Sequence, residues 1–163
     1  MIIHLKNKKT LKVDDFYFKC CVGKNGISKK KREGDGKTPK GIFKLDHLYY
    51  RKDKINNPFT KIKKVKIQKN MGWCDDINSH RYNKLISVNK KYRYEKLYRK
   101  DSKYDLIVPI KYNFEKPIKK LGSCIFIHIT ENFKPTAGCI AIKKKDFLIM
   151  LKLINKNSKI IIY

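Results

Sequence analysis

Two neighbouring stretches, Cys124-Ile-Phe-Ile-His-Ile-Thr130 and Lys134-Pro-Thr-Ala-Gly-Cys-Ile-Ala-Ile142, decide how the rest of the chain is read. The first is a short apolar run with one histidine, His128, inside it; its length and β-branched content make it a buried strand. The second opens on a Pro/Gly turn and delivers Cys139 at the mouth of another apolar run. A cysteine reacts as its thiolate and needs a nearby base or backbone dipoles to give up its proton. Eleven residues separate Cys139 from His128, and a strand, a turn and a returning strand can bring the two side chains together. The small residues of Thr136-Ala-Gly-Cys139 let the backbone N–H groups of Gly138 and Cys139 approach a developing oxyanion. A backbone carbonyl, or a polar neighbour among Ser123, Thr130 and Thr136, is expected to orient the pair. A core histidine beside a structural cysteine would leave the same residues, so the pattern by itself does not decide between them.

Working outward, strand-like runs recur along the chain: residues 2–5 and 10–13 as a hairpin, then 16–22, 41–45, 61–68, 104–110 and 159–163. Residues 23–41 form a polar loop in which Gly34, Gly36 and Gly41 permit positive φ and Pro39 fixes a turn. Its Gly36-Lys37-Thr38 triplet is not a phosphate-binding loop, because the first glycine of that motif would fall on Lys31. Residues 46–57 are expected as loop and residues 89–103, rich in Lys, Arg and Tyr, as a solvated loop or surface helix. Residues 79–86 are expected as one short helix. A second helix is expected from Asp146 to Asn155, where Phe147, Leu148, Leu151 and Ile154 recur at helical spacing. Strands outnumber helices and no βαβ alternation appears, so the expected fold is mainly β with a few short helices, in a single domain over residues 1–163.

Composition bounds the function classes. The chain carries 41 Lys and Arg against 14 Asp and Glu, a formal charge of +27. Such a charge attracts anionic polymers in general. The lysines are spread along the whole chain, not gathered in one arm or helix face, so no specific nucleic-acid partner is expected. A basic module binding wall polymer or nucleic acid without catalysis stays the alternative from another class. No stretch approaches the roughly 20 apolar residues of a membrane-spanning helix, and the apolar segment within Met1–Thr10 is too short for a secretory signal. The five cysteines are odd in number and contain no C-x-x-C pair. Cys74, His80, His128 and Cys139 lack paired-ligand spacing, so no metal and no cofactor is expected.

His128 followed by Thr136-Ala-Gly-Cys139-Ile140 resembles the H…[S/T]-x-G-C motif of the L,D-transpeptidases, the YkuD-type cysteine enzymes of bacterial cell walls. The similarity runs in order from about Gly23 to the C-terminus through several motifs. They are Lys31-Arg-Glu-Gly-Asp-Gly-Lys-Thr-Pro-Lys-Gly41, Tyr50-Arg-Lys-Asp53, Gly72-Trp-Cys-Asp-Asp76, Tyr82-Asn83, Tyr104-Asp105, Tyr112-Asn113 and Gly122-Ser-Cys-Ile-Phe-Ile-His128. It is with a proteobacterial branch of the family. The resemblance implies a YkuD-like β-sandwich, and a location in the periplasm or cell envelope. It implies Cys139 as nucleophile on an L,D peptide bond of a peptidoglycan stem peptide and His128 as base and then acid. A second stem's amine would resolve the thioester as a cross-link; water would make the enzyme an L,D-carboxypeptidase. Carbapenem-type inhibitors would acylate the same cysteine. Trp73, Asp75, Asp76, His80, Tyr82 and Asn83 are the candidates for a substrate wall. Two positions depart from the common motif: Thr136 stands for serine, and Ala141 stands where arginine is usual.

Overall fold

A computed structural model describes residues 1–88 and 91–163. In chain order its elements are β1 (Ile2–Leu5), β2 (Thr10–Val13), β3 (Phe16–Cys21), β4 (Ile27–Ser28), β5 (Thr38–Pro39), β6 (Gly41–Lys44), β7 (Leu48–Tyr50) and β8 (Lys64–Lys66). Then come β9 (Met71–Cys74), β10 (Leu85–Ser87), β11 (Tyr94–Lys96), β12 (Leu106–Pro109), β13 (Phe126–Ile129), β14 (Ile140–Ile142), α1 (Lys144–Leu153) and β15 (Lys159–Ile162). The fold is mainly β, as the sequence leads one to expect. Ten strands make one mixed sheet in the order β6-β15-β1-β2-β3-β14-β13-β12-β7-β8. An antiparallel bridge between Leu45 and Ile110 ties the chain beyond β6, at one end of that order, to the chain beyond β12, near the other. The sheet therefore curls on itself.

Side chains alternate across a strand, and this alternation sorts the core into two parts. Ile127, Ile129, Ile140 and Ile142 join Leu106 and Val108 on the inner face. Phe147, Met150 and Leu151 of α1 pack there too, and burying each fully contributes roughly 1.5–3 kcal/mol. Phe126, Ile107 and Cys139 belong to a second cluster with Trp73, Leu97 and Tyr104. A three-stranded sheet, β10-β9-β11, brings Trp73 to this cluster. Strand β13 is thus buried on both faces, which explains its near-continuous apolar run.

Four sequence expectations change in detail. The helix expected over 79–86 is absent: Ser79 Oγ accepts the N–H of Arg81 at 3.0 Å and Asn83 sits at φ 55, so the chain turns and enters β10. Within 46–57, the three buried residues of β7 pair with β12 and β8. Within 89–103, β11 pairs with β9; residues 89 and 90 lie outside the described residues. The fourth concerns β14, which runs parallel to β13 instead of returning antiparallel. The connection swings outward first: Thr136 N–H donates to Val22 O at 2.9 Å and Lys24 N–H to Thr136 O at 2.9 Å. From there β14 inserts between β13 and β3. Among the described residues no helix is long and apolar enough to cross a membrane.

Candidate active site

The register of β13 and β14 pairs His128 with Ala141. Cys139, two residues before Ala141, falls on the same face by strand alternation. Both side chains line one cavity of about 710 Å³. His128 Nδ1 lies 2.8 Å from the carbonyl of Ile129. A carbonyl can only accept, so the proton sits on Nδ1 and Nε2 keeps its lone pair. Burial, with the cations Lys103 and Arg99 adding to it, pulls the imidazole down to about 4 against the opposing pull of the Ile129 carbonyl and Asp101. His128 is therefore a neutral, oriented base at neutral pH.

The Cys139 thiol donates to Cys124 O at 3.1 Å and accepts the N–H of Phe126 at 3.3 Å. Burial, and then the Glu95 carboxylate, hold its proton on; the Phe126 N–H and Lys31 act the other way. The resting pair is thiol and neutral imidazole. The Phe126 N–H already points at the sulfur and is placed to stabilise the anion once it forms.

The turn before Cys139 is held from two sides. Thr136 Oγ1 donates to Cys139 O at 2.6 Å and accepts the N–H of Gly138 at 3.1 Å. From the glycine loop, Thr38 Oγ1 donates to Gly138 O at 2.8 Å and accepts the N–H of Gly23 at 2.9 Å. Gly138 has φ 150, and a Cβ there would meet Lys37 O at 2.9 Å. That loop is organised by Asp35, whose carboxylate takes the Lys31 ammonium and the N–H groups of Arg32 and Lys37, both at 2.9 Å. Burial raises the Asp35 carboxyl, and the Lys31 and backbone hydrogen bonds outweigh it, so it lies below its ordinary value.

The remaining expected residues separate. Asp75 lines the cavity, ion-paired to Arg93 at 3.1 Å. Trp73 is buried in the second cluster with its indole N–H on Asn83 Oδ1 at 2.9 Å, so it is not part of the cavity wall at Cys139. Asn83 itself is 3% exposed and ties four groups together. Asp76 accepts the N–H of Asn78 and of Arg93, a turn-forming role. His80 lies against Tyr92 and faces a separate cavity with Tyr49 and Trp73. Tyr82 gives its hydroxyl to Glu33 and accepts the N–H of Gly122 at 3.0 Å. Of the three expected orienting residues none holds His128, whose partner is a carbonyl. Thr136 shapes the turn, Thr130 accepts the N–H of Phe133 at 3.0 Å, and Ser123 Oγ is buried without a well-formed hydrogen bond among the described residues. The N–H of Gly138, expected to face an oxyanion, is occupied by Thr136. Among the described residues no three His, Cys, Asp or Glu side chains are grouped to hold a metal ion.

Residues that the sequence reading did not single out complete the wall. Glu95 accepts the hydroxyl of Tyr104, and the Tyr104 ring stands edge-on to His128 with centroids 5.4 Å apart. Arg99 lies over the Tyr104 ring at 5.1 Å. The alternation Tyr94-Glu-Lys96 was the available signal for β11, hidden among lysines.

A family model described as the L,D-transpeptidase catalytic domain, YkuD, matches residues 2–162. No curated protein matches the chain. Among solved structures, Bd1075 of Bdellovibrio bacteriovorus is similar with a TM-score of 0.50 at 14% identity, over 99% of this chain and 47% of that one. The helical cell shape determining protein Pgp2 of Campylobacter jejuni gives 0.48 at 16% identity, over 99% of this chain and 46% of its own. The chain thus spans about half the length of these structures, and at such identities the likeness to the first is one of fold. The match over nearly the whole chain carries more: this protein belongs to the YkuD family of L,D-transpeptidase catalytic domains.

Proposed function

We propose that this domain is a cysteine acyltransferase acting on peptidoglycan stem peptides in the bacterial envelope. The observation that carries the reading is the shared cavity of Cys139 and a His128 whose tautomer leaves Nε2 free. When a donor peptide enters, Nε2 takes the Cys139 proton and the sulfur attacks the carbonyl of the L,D peptide bond. With the Gly138 N–H taken by Thr136, the Cys139 N–H is the backbone donor assigned to the resulting oxyanion. Collapse breaks the C–N bond, and His128 returns its proton to the leaving amine. The acyl group is then a thioester on Cys139. A second stem's amine attacks it, His128 takes the amine's proton, and the thiol departs with that proton, leaving a cross-link. With water in place of the amine the same steps give an L,D-carboxypeptidase.

The test is to incubate the chain with defined tetrapeptide muropeptides and read products by mass spectrometry beside a Cys139→Ala control. Dimers that have lost one D-alanine support transfer. Tripeptide monomers alone mean hydrolysis, and the absence of any Cys139-dependent product removes both enzymatic readings.

Two further outcomes are expected. The reactive form of His128 is neutral, so activity should be lost on protonation, and burial puts that loss near pH 4 and not near the ordinary imidazole value of 6.5. A kcat/KM profile flat from pH 8 to about 5 is expected in Glu95→Gln, where the Glu95 carboxyl, raised by burial, no longer titrates; an acid limb centred near 6.5 there would show that His128 is solvated or not the base. Gly138→Ala drives a Cβ into Lys37 O and shifts the turn that carries the nucleophile. A displacement on the order of 1 Å lowers kcat/KM about 100-fold, with a smaller effect expected from Thr136→Ser, which keeps both turn hydrogen bonds.

A further inference from the structure

The cavity at Cys139 holds three carboxylates, and two of them are taken. Asp75 is bound by Arg93 Nε at 3.1 Å, and Arg93 Nη2 also holds the Asp75 carbonyl at 2.8 Å. Glu33 receives the Tyr82 hydroxyl at the cavity rim. Glu95 is different. It accepts the Tyr104 hydroxyl, has the Cys124 thiol beside it, makes no ion pair among the described residues, and burial raises its carboxyl above the ordinary value. The arginine whose charge reaches it, Arg99, spends its guanidinium on Asp101 through bonds of 2.9 and 2.6 Å. An ionised carboxylate has room for about four hydrogen bonds, and a closed-in one without a cation is costly. In a chain with 41 lysines and arginines, such a vacancy beside a nucleophile is not for want of cations.

A second observation points the same way. Ser123 lines the same cavity, and its buried hydroxyl, with the Tyr82 hydroxyl and the Cys124 thiol as neighbours, makes no well-formed hydrogen bond among the described residues. Buried hydroxyls are nearly always partnered. A part-satisfied carboxylate and an unsatisfied hydroxyl together complement one group above others, an ammonium with its three donors and positive charge. The cavity volume is that of a site for a ligand of peptide size.

We infer that Glu95, with Ser123 as neutral partner, is the specificity-determining residue that receives a free ammonium on the acyl donor, and that a donor lacking that charge is rejected. This rests on the reading that Cys139 is acylated by the donor. The arrangement also couples recognition to chemistry. After burial, Glu95 is what holds the proton on Cys139, so an ammonium that neutralises it eases the formation of the thiolate at the moment the donor is seated.

The experiment compares a tetrapeptide whose third residue is diaminopimelate with the same peptide acetylated on that residue's side-chain amine. Each is given to the wild-type chain and to Glu95→Gln, with Ser123→Ala as a second variant. Acylation is read as kcat/KM. Alkylation of Cys139 by iodoacetamide, mapped by mass spectrometry, is read with and without a saturating level of each peptide. Wild type is expected to favour the free amine by about 30-fold or more, in line with the loss of one partner of an enclosed charge pair. Glu95→Gln should shrink that preference to within about threefold and raise the basal alkylation rate of Cys139, which a purely structural role would not do. Ser123→Ala should lower the preference in part. Cys139-dependent turnover with equal use of both peptides overturns the inference and leaves the transferase reading standing. Absence of turnover, with the free-amine peptide still altering Cys139 alkylation only when Glu95 is present, overturns the transferase reading and supports the ammonium site. If neither turnover nor a peptide effect on alkylation appears, both fall.

Discussion

Cys139→Ala is expected to retain its fold and to lose turnover of stem peptides by about four orders of magnitude or more, as removal of a nucleophile does elsewhere. The size follows from the site. His128 has no other acidic proton to take at that position, and the remaining devices, the cavity and the backbone donors, bind without forming a bond. The fold should survive because the thiol makes only two hydrogen bonds, to Cys124 O and from Phe126 N–H, and Cys124 and Cys139 both line a cavity that water can enter. Cys139→Ser sharpens the test. A serine hydroxyl can donate to Cys124 O and accept from Phe126 N–H as the thiol does, so stability should stay within about 1 kcal/mol of wild type. A hydroxyl is far less acidic than a thiol, and its shorter bond draws the nucleophile back from the donor, so acylation should fall nearly as far as in the alanine variant. Intact-mass measurement after incubation with donor reads both at once. An adduct still formed by Cys139→Ala, on any of the other four buried cysteines, would move the nucleophile elsewhere and undo the proposed chemistry.

What made the Cys139 and His128 pair readable is that both residues sit in one local unit. Their apolar runs show as strands, and alternation gives each a face. The family motif follows the same short span. What stayed hidden is of two kinds, backbone groups that carry no signature and contacts between segments far apart in sequence. His128 is oriented by the carbonyl of Ile129, and Cys139 is served by the N–H of Phe126; every residue has such groups, so no residue type announces them. Of the two expected kinds of orienting group the backbone carbonyl is the one found, and the hydroxyls of Ser123, Thr130 and Thr136 do other things. The parallel course of β14 was hidden for a related reason. Residues 130–139 look like a hairpin turn, and only the pairing of Thr136 with the chain beyond β3 shows where the connection goes. Glu95 was masked by composition: in a segment crowded with Lys, Arg and Tyr, the short alternation of a three-residue strand does not stand out. Burial likewise separated Trp73 from Asp75, two positions apart in the motif, one in the core and one at the cavity.

The glycine loop shows how such distant parts become one site. Thr38 reaches Gly138 across 100 residues of sequence, and Asp35 with Lys31 holds the loop that presents Thr38. The glycine-loop motif is thus tied by hydrogen bonds to the turn of Cys139, and four of the seven ordered motifs line the cavity while those at 50–53, 82–83 and 112–113 do not.

Asn83 is the residue on which that connectivity tests most severely, and Asn83→Ala is expected to destabilise the fold by roughly 4 kcal/mol. Its Oδ1 accepts the Trp73 indole N–H at 2.9 Å and the Cys124 N–H at 3.1 Å, and its Nδ2 donates to Asn113 O at 2.7 Å and Tyr112 O at 3.2 Å. Alanine leaves two buried donors and two carbonyls without that partner, at about 1–3 kcal/mol for each group that water cannot reach. It also places a residue with no stabilising side chain at φ 55, where asparagine is tolerated and alanine costs about 1 kcal/mol more. Partial repair by water brings the sum down to the value given. For a chain of this length that loss lowers Tm by roughly 8–16 °C, measurable by thermal or denaturant unfolding followed through the single tryptophan. Trp73→Phe removes one donor and leaves the other three bonds, so a drop of about 1 kcal/mol is expected there. Activity should fall below what unfolding explains in Asn83→Ala, because Cys124, which Asn83 holds at φ 54, carries the carbonyl that receives the Cys139 thiol. A loss of less than about 1 kcal/mol, with the kcat of the folded fraction unchanged, would mean that the loops at 82–84, 112–113 and 122–124 position the site independently of this side chain.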